Sequence, residues 1–336
     1  MSFKIHLIDQ NISFEVENDE AILEAALRQG CNLPYGCRNG ACGTCKAEIR
    51  EGKFAYPAEL PEAISRIEHK QGYALLCQAR ALSDLTIKAR TVETASDIKL
   101  RQFPCRVMSC EKLSDDVIRL IMELPKTERL QFLAGQYIDI IMREGKRRSF
   151  SLANPPQQDQ LIELHIRHYD GGLFSEYAFK DLKEKTLLRI EGPLGQFTLQ
   201  NSDRPIIMIA GGTGFAPIKS LVEYSLAIED NRQIDIYWGA RTKVDLYMHN
   251  MAERWSIDHK HINYIPVLSD IEHINGWNGK TGFVHEAVLE DYPDLSGYDV
   301  YVCGPPPMVN AVLDSFPKQG LDRERLFSDS FEFAAN

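Results

Sequence analysis

The stretch Cys37-Arg38-Asn39-Gly40-Ala41-Cys42-Gly43-Thr44-Cys45 sets three cysteines among glycines, and a fourth cysteine, Cys77, lies well downstream. Three chemistries answer to such a grouping: a disulfide, a zinc site or an iron–sulfur cluster. Eight cysteines in 336 residues are too few for a disulfide-dense fold, and in a reducing compartment clustered cysteines more often bind metal or carry electrons. Zinc ribbons repeat a short C-x2-C pair, and Cys77 has no cysteine neighbour to supply the second pair. The spacing Cys37-x4-Cys42-x2-Cys45, with Cys77 as fourth ligand, is that of a [2Fe–2S] cluster. A short loop can aim three thiolates from one side only if its backbone bends tightly, which Gly36, Gly40 and Gly43 permit. Cys31, Cys105 and Cys110 stand apart from this pattern and read as inert buried thiols.

Outward from the loop, residues 1–90 form a small unit. Phe3, Ile5 and Leu7 alternate, as do Ile12, Phe14 and Val16, which predicts two strands turning at Asp9-Gln10. Asn18-Asp19 precede a helical pattern on Ala21, Ile22, Ala25 and Ala26, and Gly30 stops it. The cysteine loop follows. The stretch leading to Cys77 shows little periodicity, and a last strand covers roughly 85–89. Residues 91–102 are polar and predict a linker.

Residues 100–201 predict an antiparallel barrel from alternating segments at Cys105–Cys110, Val117–Glu123, Tyr137–Met142 and Leu161–His168. From 203 to 336 the rhythm changes. Ile206-Ile207-Met208-Ile209-Ala210 is a buried-strand run, and further strands at Ile234–Trp238, Tyr264–Leu268 and Asp299–Cys303 alternate with helical sequence, which predicts a parallel α/β sheet. Gly211-Gly212-Thr213-Gly214 falls between strand and helix, where glycines let a backbone approach a pyrophosphate.

The bulk numbers are those of a globular protein: 44% hydrophobic, 26% charged, net charge −10. Excess acid gives no support to a nucleic-acid partner. No apolar run approaches the ~18 residues of a membrane span, and Met1-Ser2-Phe3-Lys4-Ile5-His6 opens on a strand pattern with no secretory h-region. A cytoplasmic location is the expectation.

On these motifs the chain resembles the three-domain reductases of the ferredoxin–NADP reductase superfamily. Residues 1–90 look like a plant-type ferredoxin domain with a β-grasp fold. Arg147-Arg148-Ser149-Phe150-Ser151 is similar to the family's Arg-x-Tyr-Ser flavin signature, with Phe150 in the tyrosine position. The resemblance implies that Arg148 pairs with FAD phosphate, Phe150 packs on the flavin ring and Ser151 approaches its reactive edge. It implies that Gly172, Leu173, Phe174 and Ser175, at a helix start just after His165 and Arg167, hold the flavin pyrophosphate, with Arg167 adding charge. The 211–214 loop resembles the family's GGTGxAP loop. Cys303-Gly304-Pro305-Pro306 matches the segment beside the nicotinamide, so Ser151 and Cys303 are the implied catalytic pair. Arg241 is placed to meet the adenosine half of the cofactor, and Asp245 nearby would repel a 2′-phosphate, favouring NADH over NADPH. Phe331 or Phe333 is the terminal aromatic that would cover the flavin.

This order of domains is that of CDP-6-deoxy-3,4-glucoseen reductases and of oxygenase reductase components. The implied path runs from NAD(P)H through FAD and the [2Fe–2S] cluster to a partner enzyme, a sugar dehydratase or an aromatic-ring or phenol oxygenase. A plain iron–sulfur carrier without reductase turnover is the third reading. Charge on residues 1–90 is nearly balanced, so steering does not name the acceptor.

Overall fold

The computed structural model describes all residues except 1, 9–11, 30, 32, 34–39, 90–99, 126–129, 131, 159–160, 271–275 and 332–336. The chain folds as two units, Met1–Ile98 and Lys99–Asn336.

The first unit carries β1 (Ser2–Leu7), β2 (Ile12–Glu17), α1 (Ile22–Arg28), β3 (Lys46–Glu51), β4 (Phe54–Ala55), α2 (Arg66–Lys70), β5 (Tyr73–Leu75), β6 (Arg80–Ala81) and β7 (Leu85–Lys88). Its main sheet has the order β2-β1-β7-β3-β5. β1 pairs antiparallel with β2 and parallel with β7. The predicted alternation holds: Ile5, Leu7, Phe14 and Val16 turn inward, where α1 adds Ile22, Leu23, Ala25 and Ala26. The predicted Asp9-Gln10 turn and the Gly30 stop lie outside the described residues. Four further elements fall between 46 and 75: β4, α2 and β5 are too short to show an apolar period, and β3 buries only Ala47 and Ile49. One of them, α2, does have a sequence signature. Ser65 and Glu68 form a reciprocal capping box, and Lys46 donates to Glu68 at 2.8 Å.

The second unit begins with six antiparallel strands: β8 (Arg101–Lys112), β9 (Val117–Glu123), β10 (Tyr137–Ile141), β11 (Arg147–Ser151), β12 (Leu161–Arg167) and, after α3 (Leu173–Lys180), β13 (Leu187–Leu194). Their order is β11-β10-β13-β8-β9-β12. The Ala153 amide donates to the Glu163 carbonyl at 2.8 Å, joining the two ends of the sheet into a barrel. Arg101 and Gln102, expected in the linker, belong to β8, where they extend the ladder with β13; 91–99 lie outside the described residues. β11 and β13 were not anticipated. The first is too polar, and the second contains Gly192-Pro193, which reads locally as a turn.

The remainder is a parallel sheet of order β17-β16-β15-β14-β18-β19, built from β14 (Ile206–Gly211), β15 (Ile234–Ala240), β16 (Ile262–Leu268), β17 (Lys280–Thr281), β18 (Asp299–Gly304) and β19 (Leu326–Ser330). Helices α4 (Phe215–Ala227), α5 (His249–Asp258), α6 (Val284–Asp291) and α7 (Pro306–Ser315) flank it. Every residue of β14 is buried, as expected for a central strand covered on both faces; each fully buried isoleucine there contributes on the order of 2 kcal/mol. Among the described residues no helix is long and apolar enough to cross a membrane.

Candidate functional site: a cysteine loop, a barrel rim and the ends of a parallel sheet

In the first unit, Cys45 and Cys77 are buried and Cys42 is half-buried. Cys37 lies outside the described residues. Gly40 takes φ +87°, and a Cβ there would come within 2.8 Å of Pro61 Cβ, so only glycine lets the loop turn this closely. The Leu76 amide donates to the Cys45 carbonyl at 3.1 Å, which ties the loop to the segment bearing Cys77. Both thiols act electrostatically on one phenol. Burial, and after it the charges of Cys45 and Cys77, lift Tyr56 to about 12, against an opposing hydrogen bond from the Leu75 amide. Among the described residues no three His, Cys, Asp or Glu side chains converge at metal-binding distance. The thiol donors and the glycine bends fit a [2Fe–2S] cluster. The other cysteines behave as expected of packing residues: burial raises Cys31 to about 11 and Cys105 to about 12, and also raises Cys110.

In the second unit Arg148 and Phe150 lie on β11. Arg148 lies half-exposed on β11 and donates to the Arg147 carbonyl at 2.8 Å. Two positions on, and therefore on the same strand face, half-buried Phe150 packs against Phe174 at 5.4 Å between ring centroids. Phe174 itself is spent in the barrel core, so only its backbone can serve a ligand. Gly172 caps α3, and the Ser175 hydroxyl turns back onto the Tyr169 and Gly172 carbonyls at 3.3 Å. Ser175 thus shapes this turn, and the helix amides with the positive end of the dipole are what remain for a phosphate.

Arg167 ends β12 beside the glycine loop. Its guanidinium lies against the glycine loop, with Nη1 3.1 Å from where a Gly212 Cβ would sit. Nε is 3.3 Å from Asp116 Oδ2 without donating to it, and Nε and Nη2 are buried with no hydrogen-bond acceptor. Buried donors left this way are costly, and a dinucleotide's phosphates are the acceptors this arrangement suits. The residues therefore fit FAD.

The glycine loop follows β14 as expected. Gly211 ends the strand, residues 212–214 make a 3-10 turn, and α4 starts at Phe215. A Cβ on Gly214 would lie 2.1 Å from the Cys303 carbonyl oxygen. Glycine is what allows this loop and the end of β18 to meet. The Trp238 indole donates to the Gly212 carbonyl at 3.0 Å and stacks on Phe215 at 3.7 Å, fixing the loop from the side.

Ser151 and Cys303, one from the barrel and one from the sheet, are brought together by a residue the sequence reading missed. Asp329 in β19 pairs in register with Cys303, and its Oδ2 is 3.9 Å from Cys303 Sγ and 3.5 Å from Ser151 Oγ. Burial, and after it the Asp329 charge, push the Cys303 thiol well up, so it stays protonated. An acid between the aromatics in Phe327-Ser328-Asp329-Ser330-Phe331 was the available signal. Phe327 stacks on Tyr301 at 4.7 Å and belongs to the core. The Phe331 amide donates to Gly304 at 3.0 Å, which sets this aromatic beside the strand end. Phe333 lies outside the described residues.

A cleft of about 1250 Å³ opens between the 112–116 turn of the barrel and the segment after β15. Arg241, 70% exposed, lines it 3.5 Å from Asp245. Asp245 accepts from the Thr242 amide at 2.9 Å and hydroxyl at 3.0 Å, so it is first of all a cap on its own turn.

A flavin-type barrel rim facing a glycine loop at the ends of a parallel sheet defines a nicotinamide-dependent flavoprotein oxidoreductase. Family models agree along the chain. Residues 5–82 match the 2Fe-2S iron-sulfur cluster binding domain, 104–199 the oxidoreductase FAD-binding domain and 208–314 the oxidoreductase NAD-binding domain. The CDP-6-deoxy-L-threo-D-glycero-4-hexulose-3-dehydrase reductase of Yersinia pestis is 40% identical over 331 residues, 98% of this chain and 99% of that one. The phenol hydroxylase P5 protein of Acinetobacter pittii is 34% identical, covering 100% and 96%. Among solved structures, the Amycolatopsis cytochrome P450 reductase GcoB superposes with a TM-score of 0.79 at 30% identity, covering 98% of both chains. The chain belongs to the family of NAD(P)H-dependent reductases that join a [2Fe–2S] ferredoxin domain to FAD- and NAD-binding domains, and it transfers electrons from NAD(P)H by way of FAD and the cluster to a partner enzyme.

Proposed function

We propose that this reductase draws on NADH and delivers electrons to a dehydrase acting on a CDP-linked 6-deoxyhexulose. The observation that carries the choice of acceptor is the 40% identity, over essentially both full lengths, to the Yersinia hexulose dehydrase reductase. Asp245 and Asp270 share the cleft with Arg241 and disfavour a 2′-phosphate, which supports NADH.

The residue roles follow from position. Arg148, Arg167 and the α3 amides from Leu173 onward hold the FAD phosphates. Phe150 offers its face to the ring. Gly211, Gly212, Thr213 and Gly214 admit the nicotinamide dinucleotide, with Arg241 at its adenosine end and Gly304 and Phe331 beside its reactive end. Ser151 and Cys303, joined through Asp329, orient donor and acceptor. Cys37, Cys42, Cys45 and Cys77 ligate the cluster. Bound FAD supplies the one conversion the chain lacks, accepting a hydride and releasing single electrons.

The 34% identity to the phenol hydroxylase P5 protein favours a second reading, an oxygenase reductase. Reconstitution separates them: purified reductase and NADH are mixed with a CDP-hexulose dehydrase or with a phenol hydroxylase oxygenase, and product is measured. Turnover only with the oxygenase overturns the first reading. NADPH outperforming NADH in kcat/KM overturns the cofactor preference. Failure of NADH to bleach the visible spectrum of the holoprotein would return the chain to a plain electron carrier.

A further inference from the structure

The barrel and the parallel sheet meet at a buried polar cluster that none of the roles above uses. Lys219 on α4 is 5% exposed. Its ammonium donates to Glu223 Oε2 at 2.9 Å on its own helix, and to the Ala153 carbonyl at 3.1 Å and Glu163 Oε2 at 3.2 Å on the barrel. All three donors are thereby used. The neighbouring Ser220 hydroxyl donates to the Asn154 carbonyl at 2.8 Å. Asn154 in turn accepts from the Glu163 amide at 2.9 Å.

A second link lies beside the first. His165 Nε2 is 3.0 Å from Glu163 Oε1, and His165 Nδ1 is 3.0 Å from the hydroxyl of Tyr247, on the segment after β15. A carboxylate only accepts, so Nε2 carries the hydrogen. Burial keeps the imidazole neutral against the pull of Glu163, with Lys219 and Arg119 adding to the downward shift, so Nδ1 accepts from Tyr247. The Tyr247 ring packs edge-on against Trp238 at 5.1 Å, and Trp238 holds the Gly212 carbonyl. The two links therefore run from β12, which leads into Arg167, to both flanks of the glycine loop.

We propose that Lys219, seconded by the His165–Tyr247 hydrogen bond, is a positioning residue that registers the flavin barrel against the nicotinamide-binding sheet and so sets the approach of Ser151 to Cys303. Apolar contacts of Phe197 and Ala134 with the sheet's core hold the halves together but are non-directional. The bonds that cross between the halves, from the Lys219 ammonium to the Glu163 carboxylate and the Ala153 carbonyl and from Ser220 to the Asn154 carbonyl, are directional and favour a single register, the best-attested use of buried charge. Lys219 opens the second turn of α4, so a shift of the clamp is a shift of the glycine loop.

The inference rests on the reductase reading, and the experiment keeps the two apart. Rapid-mixing reduction of the FAD-loaded full chain by NADH is followed in wild type, in the charge-neutral triple variant Lys219→Met/Glu163→Gln/Glu223→Gln and in the near-isosteric Tyr247→Phe. Since misplacement by about 1 Å costs on the order of 100-fold, the limiting rate should fall at least about tenfold in the triple variant. In Tyr247→Phe a fall of about threefold is expected, with NADH affinity within about twofold of wild type in both. The primary isotope effect with deuterated NADH should rise as hydride transfer becomes slower than the other steps. Limiting rates and isotope effects equal to wild type overturn the proposal; if the triple variant does not fold, Tyr247→Phe alone decides by the same criterion. Wild type left unreduced by NADH overturns the reductase reading instead.

Discussion

Ser151 and Asp329 stand 178 residues apart in the chain, yet their side-chain oxygens are 3.5 Å apart, and the same Asp329 oxygen lies 3.9 Å from the Cys303 sulfur. The carboxylate accepts from both sides, so it holds a barrel hydroxyl and a sheet thiol in one arrangement.

Asp329→Asn keeps the shape and removes the charge. The limiting rate of flavin reduction by NADH should fall about tenfold, a positioning loss of ordinary size, with NADH affinity changed by less than about twofold. Rapid mixing separates the two quantities, and an unchanged rate would falsify a role for Asp329.

Cys42→Ser should abolish the [2Fe–2S] absorbance while sparing NADH oxidation with ferricyanide, which takes electrons directly from flavin. The cysteine loop belongs to the first unit and β11 with the glycine loop to the second, so loss of ferricyanide turnover along with the cluster would sink the modular path.

Gly214→Ala places a methyl 2.1 Å from the Cys303 carbonyl oxygen. Backbone on each side leaves nothing flexible to give way. Denaturant unfolding should show a loss of at least about 2 kcal/mol, in the upper range of overpacking effects, together with weakened NADH binding. Wild-type stability and affinity would mean that the loop and the end of β18 do not meet this closely.

Glu163 sets an acid limb. Burial alone would raise its carboxyl, but the His165 hydrogen bond and the Lys219 charge outweigh it and hold the value at about 2, against an ordinary 4.5. A lowered carboxyl stabilises the fold above its unfolded value, and that contribution is lost as pH falls toward the folded one. Glu223, raised chiefly by burial, works in the opposite sense: the fold loses stability as pH rises from the ordinary carboxyl value toward the raised one, so it does not offset the loss below pH 4.5. The Tm of wild type should therefore fall between about pH 4.5 and 2. Glu163→Gln should flatten that limb and lower Tm at neutral pH; an unaltered limb would mean that Glu163 is not held low in the fold.

Much was legible because it is local. The Cys37–Cys45 spacing, the Ile206–Ala210 run followed by the glycine loop, and the strand ending at Cys303 are each confined to one short segment, where side-chain type and backbone conformation are coupled directly. The alternation that predicts a strand over Val117–Glu123 coincides with β9 because it is the burial pattern of the strand itself. β11 and β13 escaped notice because polar Arg147–Ser151 and the Gly192-Pro193 pair carry no apolar period of their own; neighbouring strands make them strands. The amino-acid sequence by itself determined the cysteine spacing, the sheet classes and the glycine turns. Only the tertiary structure decided that Asp329 joins Ser151 to Cys303, that Ser175 and Phe174 serve the turn and the core, and that Lys219 is clamped by two carboxylates. Those are contacts between residues far apart in the chain. Their energies depend on burial and on angstrom-scale distances that exist only once the barrel and the sheet have packed together.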